Sequence, residues 1–234
     1  MEIEFIPSSL EVELFLEKPK PAKAYVPQWY KNIKANNEMS FNENNQLANL
    51  NIKNCMPFLD GLSHGYIQST WHDIYIKKND DGKIDYIGAN AHLFPQLISK
   101  RNEYTPIDSN DLYEKDEFTW SVQWTPKLPK GWSILITSPL NHFDLPFTTT
   151  SGIIDADEFF HISSGALPFY LKKGFEGLIP AGTPMYQMIP IKRESWNSVA
   201  TKFDELSWMK RRALVLNKFT KDYRHRFWKK KTFN

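Results

Sequence analysis

The chain has 234 residues, 41% of them hydrophobic and 24% charged, and 15% aromatic residues that include eight Trp. That is a globular composition, long enough to bury a core without staples. Its one cysteine, Cys55, excludes an internal disulfide and a cysteine-based structural zinc site and fits a reducing compartment. The net charge of +2 hides an asymmetry: residues 1–209 hold 19 Lys and Arg against 26 Asp and Glu, while residues 210–234 hold ten against one. An acidic body carries a basic tail.

The start, "MEIEFIPSSL", has neither a basic region nor an apolar core, so no secretory leader is expected. No apolar run reaches the length of about 18 residues that a membrane helix needs. A cytoplasmic protein with no membrane partner is the expectation.

Residues 1–36 read as an N-terminal strand and a proline-rich arm. In "LEVELFL", Leu10, Val12, Leu14 and Leu16 alternate with acids and Phe15, which predicts a strand with one buried face. "EKPKPAKAYVP" is proline-spaced and predicts an extended arm without a helix. "PQWYKNIK" predicts a short helix with Pro27 at its first position.

Residues 37–200 read as a β-rich core domain. It opens with a polar, Asn-rich loop over 36–50, then a strand or short helix, a turn and a strand up to Trp71. "HDIYIKK" and "KIDYIGA" flank "NDDG", a hairpin signal. Residues 92–116, rich in Asn, Asp, Pro and Ser, read as a mobile stretch. In "EFTWSVQWTPKL", Phe118, Trp120, Val122 and Trp124 alternate with polar residues, which predicts one strand with these rings on one face. "GWSILITSPL" is a more fully buried strand. "ALPFYLKK" and "FEGLIPAGTPMYQMIPIKR" add two more strands, the second interrupted by a Pro-Ala-Gly-Thr-Pro turn.

Residues 201–234 read as a C-terminal helix and basic tail. Trp208, Val215, Phe219, Tyr223 and Phe227 recur at spacings of seven and four, an aromatic face fit to dock on the domain with basic residues around it. The fold class that follows is mainly β (α+β).

Two resemblances extend this reading. Gly152, Ile153, Ile154, Asp155, Ala156 and Asp157, then Ile179, Gly182 and Gln187 with Met188 and Ile189, match two motifs at similar separation. Over residues 152–191 the chain thereby resembles the deoxyuridine triphosphatase and deoxycytidine triphosphate deaminase superfamily. The resemblance implies a β-clip-like core, with a β-barrel or sandwich as the alternatives, an Asp155 that orients the attacking water, and subunits that share sites in a homo-oligomer. Four departures matter. Glu158 replaces a Tyr, Thr183 and Pro184 stand where the family has an acid and an arginine, "TSPLNHF" at 137–143 lacks the phosphate-binding Arg, and no Gly-rich tail follows. A triphosphate needs several donors and positive charge, so nucleotide hydrolysis is not expected. Along its whole length the chain also resembles a group of uncharacterised proteins from tailed phages and bacteria. "PQWYKNIK", "CMPFLDGLSHGYIQ", "PKLPKGWSILITSPLNHFDLPF" and "FEGLIPAGTPMYQMIPIKRESW" carry that likeness. It implies a phage or bacterial cytoplasmic setting, virion association included, and no mechanism.

The candidate residues have bland readings beside the functional ones. Asp155 and Asp157 cap a turn, contact a ligand, or, for Asp155, serve as a general base. Asn141, His142, Asp157, Gly182 and Gln187 are the candidate ligand-binding set. His142, Asp144 and His161 offer a metal set whose spacing does not fit a non-haem iron face, so no metal is assigned and no cofactor is identified. Trp71, Trp120, Trp124 and Trp132 form a core or a stacking groove. The basic tail makes nucleic acid a partner that is conceivable but not favoured against docking on the body. The function expected is a β-rich protein that binds a ligand or partner without nucleotide hydrolysis, as a homo-oligomer or with a phage or host protein. The alternatives are a small-molecule or nucleotide enzyme using Asp155 as base, and a virion or assembly component.

Overall fold

The computed structural model describes residues 1–34, 51–88, 95–101, 111–159, 165–216 and 223–234. Among these residues the chain is mainly β, with fourteen strands in four antiparallel sheets and four short α-helices. A two-stranded ribbon pairs β1 (Glu4–Pro7) with β8 (Trp124–Lys127). The five-stranded sheet runs β11 (Gly152–Ile154), β9 (Trp132–Thr137), β14 (Pro184–Lys192), β3 (Tyr66–Ser69), β2 (Lys20–Pro21). The four-stranded sheet runs β10 (Phe147–Thr149), β12 (Gly165–Lys172), β7 (Tyr113–Val122), β6 (Ile98–Lys100), and a third sheet runs β13 (Gly177–Ile179), β4 (Ile74–Lys78), β5 (Ile84–Gly88). None of these sheets closes on itself among the described residues, so the barrel alternative is not the form taken.

One core draws on the three larger sheets: Phe118, Trp120, Phe147, Phe169 and Leu171 from one, Ile134, Ile136, Met185, Tyr186 and Met188 from another, Ile74, Ile76, Ile84 and Ile179 from the third. The alternation of β7 delivers Phe118, Trp120 and Val122 to it, as the sequence predicts. The other face of β7 is buried too, and there the polar residues satisfy one another. Glu117 accepts from Arg101 at 3.1 Å and from the Tyr170 hydroxyl at 2.9 Å, and the Ser99 and Thr119 hydroxyls lie 2.6 Å apart. The β4–β5 hairpin forms where "NDDG" places it, with Gly82 at φ 74, a left-handed residue that glycine adopts without strain.

Several local expectations are corrected. "LEVELF" is not a strand but the helix α1 (Leu10–Phe15), whose N-cap Ser9 side chain accepts from the Val12 N–H at 3.3 Å. The arm is not helix-free, because Ala22–Tyr25 forms a 3-10 turn next to β2. Pro27 caps α2 (Gln28–Asn32) from one residue outside it. The strand through Trp120 breaks at Gln123, so Trp124 leaves the main core and packs in a separate cluster with Val12 and Leu16. Of residues 92–116, Ile98–Lys100 and the start of β7 are strand; 92–94 and 102–110 lie outside the described residues, as does the loop over 36–50. A helix α3 (Met56–Ser63) precedes β3. The C-terminal helix α4 (Glu205–Leu216) is followed by a π-helical turn at Tyr223–Phe227, and Phe219 lies outside the described residues. Trp208, Tyr223 and Phe227 do not dock on the body but stand exposed. No helix among the described residues is long and apolar enough to cross a membrane.

Candidate functional site

The Asp155 and Asp157 turn is built by backbone bonds at the end of β11. The N–H groups of Glu158 and Phe159 donate to the Asp155 carbonyl at 3.1 and 2.8 Å, and the Leu128 N–H donates to the Ala156 carbonyl at 3.1 Å. This winds both carboxylates toward the start of β9. The Ser133 hydroxyl donates to Asp155 Oδ1 at 2.6 Å, and the Gly131 N–H donates to Asp157 Oδ2 at 2.7 Å. Arg193, just past β14, closes the group. Its Nη1 donates to Asp157 Oδ1 at 2.7 Å while Nη2 reaches Oδ2, and Nη1 also lies 3.1 Å from Asp155 Oδ1. The Asp157 side chain is 2% exposed, that of Asp155 62%.

The electrostatics follow from these contacts. The Arg193 fork, helped by the Gly131 N–H against partial desolvation, holds the Asp157 carboxyl down to about 2. The Ser133 hydroxyl, then Arg193, holds Asp155 below its ordinary value, and the paired carboxylates push the Arg193 guanidinium up. A general base at neutral pH works best when its basicity is raised toward 7; here it is lowered. The arrangement joins β11, the β8–β9 turn and the end of β14.

The sign of its pH dependence is fixed by that lowering. A depressed carboxyl stabilises the fold above its unfolded value and loses that contribution as pH falls through the folded one. Wild type is therefore expected to exceed Asp157→Asn in melting temperature at neutral pH, with the gap closing between about pH 4 and about pH 2. Thermal unfolding at stepped pH checks this; a gap that persists unchanged at pH 2 would remove the ion pair as its cause.

A second group gathers at the end of α3. Gln187 is fully buried on β14. Its Oε1 accepts from the Leu140 N–H at 2.8 Å, and its Nε2 donates to the carbonyls of Gly61 at 3.0 Å and His64 at 2.6 Å. Asn141, at φ 62, donates from Nδ2 to the Phe58 carbonyl at 3.2 Å. His142 follows it; burial pushes its imidazole down against the opposing pull of Asp144, and its Nε2 has no hydrogen-bond partner among the described residues. So Asn141, His142 and Gln187 come together, and Asp155 and Asp157 come together, but the two groups stay apart. In the β9–β14 ladder Gln187 faces Thr137 while Lys192 faces Trp132, five residues or about 17 Å along the strand.

Gly182 lies in a third place, the β13–β14 turn, at φ 84 with its N–H on the Thr70 carbonyl at 2.8 Å. A cleft of about 480 Å³ lined by Asp144, Leu145, Phe175, Pro180 and Gly182 opens beside it. Another of about 430 Å³ lies among Ile3, Tyr66, Leu128, Trp132 and Phe233. His161 is outside the described residues, and among the described ones no three His, Cys, Asp or Glu side chains gather as metal ligands. Trp120 is core and Trp71 packs against it with Nε1 on the Pro95 carbonyl at 3.1 Å, so the stacking-groove reading is not what these rings do.

The sequence reading missed two features. Arg193 joins Asp157 across 36 residues, and no local pattern announces such a pair. The other is an arm. After β14 the chain runs out exposed, with Trp196 at 85%, Val199 at 81% and Phe203 at 75% exposure, and Leu206 and Met209 on α4 likewise in solvent. It returns at its end, where Trp228 Nε1 donates to Asp60 at 3.0 Å, Lys231 pairs with the same carboxylate at 2.5 Å, and the Phe233 ring meets His64 and Tyr66. Comparison with protein-family models and with curated proteins finds no match for this chain.

Proposed function

We propose that this is a phage-type or bacterial cytoplasmic β-rich binding protein that works by holding a protein partner, in the first place further copies of itself, and that it does not hydrolyse nucleotides. The carrying observation is the arm. Trp196, Val199, Phe203, Leu206 and Met209 leave a run of large apolar side chains in water, which marks an interaction surface. The opposite charge of body and tail favours association of like chains, since the acidic surface of one copy attracts the basic residues of another. A virion or assembly component would use the same arm.

The enzyme reading draws little support from the carboxylates. Asp155 is engaged by Ser133 and Arg193, and the guanidinium beside it is neutralised by two carboxylates rather than offered to phosphate. Of the basic tail, Lys231 is paired with Asp60, which speaks against a wholly free nucleic-acid surface.

Light scattering tests the proposal. The full-length chain is expected at a multiple of 27.4 kDa, and the joint change Trp196→Ser, Val199→Ser, Phe203→Ser is expected to return it to one chain with unchanged circular dichroism. Deoxynucleoside triphosphates are expected to survive incubation with it. A monomer whose triphosphate hydrolysis disappears in Asp155→Asn would overturn the reading in favour of the enzyme.

A further inference from the structure

We infer that Trp196 of one copy inserts into an apolar pocket of a second copy, between β7, β9, β11 and β12, in a reciprocal two-fold exchange. This rests on the assembly reading above and names its receiving site. The pocket holds about 270 Å³ and is walled by Val122, Ile136, Ile154, Ala156, Phe159 and Leu167, with no charged residue lining it among the described residues. Its apolar lining points to the class of occupant. Sites that enclose drug-sized ligands hold about 300–1,000 Å³ and carry a few placed polar groups; this one is smaller and apolar, fit for a single large side chain.

The arm supplies that side chain. Trp196 is the most exposed ring described in the chain, and tryptophan is among the side chains enriched as anchors of protein interfaces. Position supplies the symmetry. Arg193, the root of the arm, is bonded to Asp157 and lies against Asp155, the two residues that flank the pocket residue Ala156. Trp196 lies three residues beyond, about 10 Å of extended chain. Because root and pocket are neighbours on every copy, two copies face to face can exchange arms so that each ring fills the other's pocket. Both pockets are then occupied, and the assembly closes at two instead of growing. Charge agrees: the exposed carboxylates of Asp155 and Glu158 stand beside the pocket, and the exposed Lys210, Arg211 and Arg212 stand on the arm.

Sedimentation equilibrium of the full-length chain tests this, with Trp196→Ala to remove the knob and Gly165→Trp to fill the pocket from within its own chain. Gly165 lines the pocket, pairs with Val122 across the sheet, and a Cβ built on it meets only the Val122 side chain, at 3.5 Å, so both variants are expected to keep the wild-type circular dichroism. Each is expected to weaken the dimer by at least about 30-fold, the scale of losing an interface anchor, and the double variant no further, because both changes remove one contact. A dimer untouched by both, yet lost in the joint serine variant, would overturn this pocket and leave the assembly reading standing. A chain monomeric at every concentration would overturn both. A small apolar ligand or a foreign protein as the occupant would appear as a monomeric wild type whose pocket is blocked only by Gly165→Trp. Should Gly165→Trp unfold, quenching decides alone: Trp196 must be shielded from iodide in the dimer and open in the diluted monomer, and shielding in the monomer would mean that the ring fills its own pocket.

Discussion

Trp120→Ala is expected to lower the free energy of unfolding by about 3–5 kcal/mol, the range for deleting a buried large aromatic, measured by urea denaturation. Trp120 is fully buried. Its ring is stacked on Phe169 with centroids 3.7 Å apart and planes at 7°, and it meets Phe147 edge-on at 5.0 Å. The indole thus bridges β7, β10 and β12, and its removal leaves a void between three strands that cannot collapse independently. Its polar contact counts for less. Nε1 donates to the Thr149 hydroxyl at 3.0 Å, but that hydroxyl itself donates to the Met185 carbonyl at 2.6 Å and keeps this partner when the indole is gone. Packing should therefore dominate, and Trp120→Phe, which keeps a ring on Phe169, should recover most of the loss. Equal losses in the two variants would assign the effect to the hydrogen bond instead. With total stabilities of about 5–15 kcal/mol for native domains, the alanine variant retains little margin.

The parts of the fold that the sequence made legible are those where one period prevails. β7, β12 and the β4–β5 hairpin show period-two apolar patterns or an Asp-Gly turn, and the structure has them. α1 shows why the same rule fails. Leu10, Val12, Leu14 and Leu16 alternate like a strand, but Val12 and Leu16 are also four apart, Ser9 can cap, and Glu11 and Glu13 suit the positive end of a helix. The buried residues are Val12 and Leu16, and Leu10, Leu14 and Phe15 face out, so the helical spacing was the one the core used. Alternation through Trp124 failed for another reason. The Ser8 N–H takes the Gln123 carbonyl at 2.8 Å, which ties the N-terminal segment onto the chain where the strand breaks. Of the candidate site, the tendency of Asp157 to bind turn backbone was legible, because it is a property of aspartate itself, whereas the Asp155 carboxylate takes the Ser133 hydroxyl and Arg193 instead. Their partners were not, since Gly131 and Arg193 lie 26 and 36 residues away. The exposure of the arm was hidden as well: an aromatic spacing reports a face but not what covers it.

Gln187→Leu is expected to cost about 3 kcal/mol or more, although the replacement is apolar and similar in length. Gln187, itself fully buried, is the partner that joins the Leu140 N–H, the Gly61 carbonyl and the His64 carbonyl of three half-buried residues. Leucine leaves these three backbone groups without it, and each buried group left unsatisfied costs about 1–3 kcal/mol. Gln187→Glu separates hydrogen bonding from shape. A carboxylate still accepts from Leu140, but it faces two carbonyl oxygens, so the side chain must take up a proton to donate to either. Its folded-state pKa is then raised above the unfolded value of about 4.3. A raised group contributes its stability below the unfolded value and loses it as pH rises through the folded one. Gln187→Glu should accordingly gain stability relative to Gln187→Leu on acidification and match it at neutral pH or fall below. Urea midpoints of the two variants at stepped pH give the answer. A difference that does not change with pH would mean that water or a shifted backbone serves the carbonyls of Gly61 and His64, and that the corner joining α3 to β14 is held by packing instead of by Gln187.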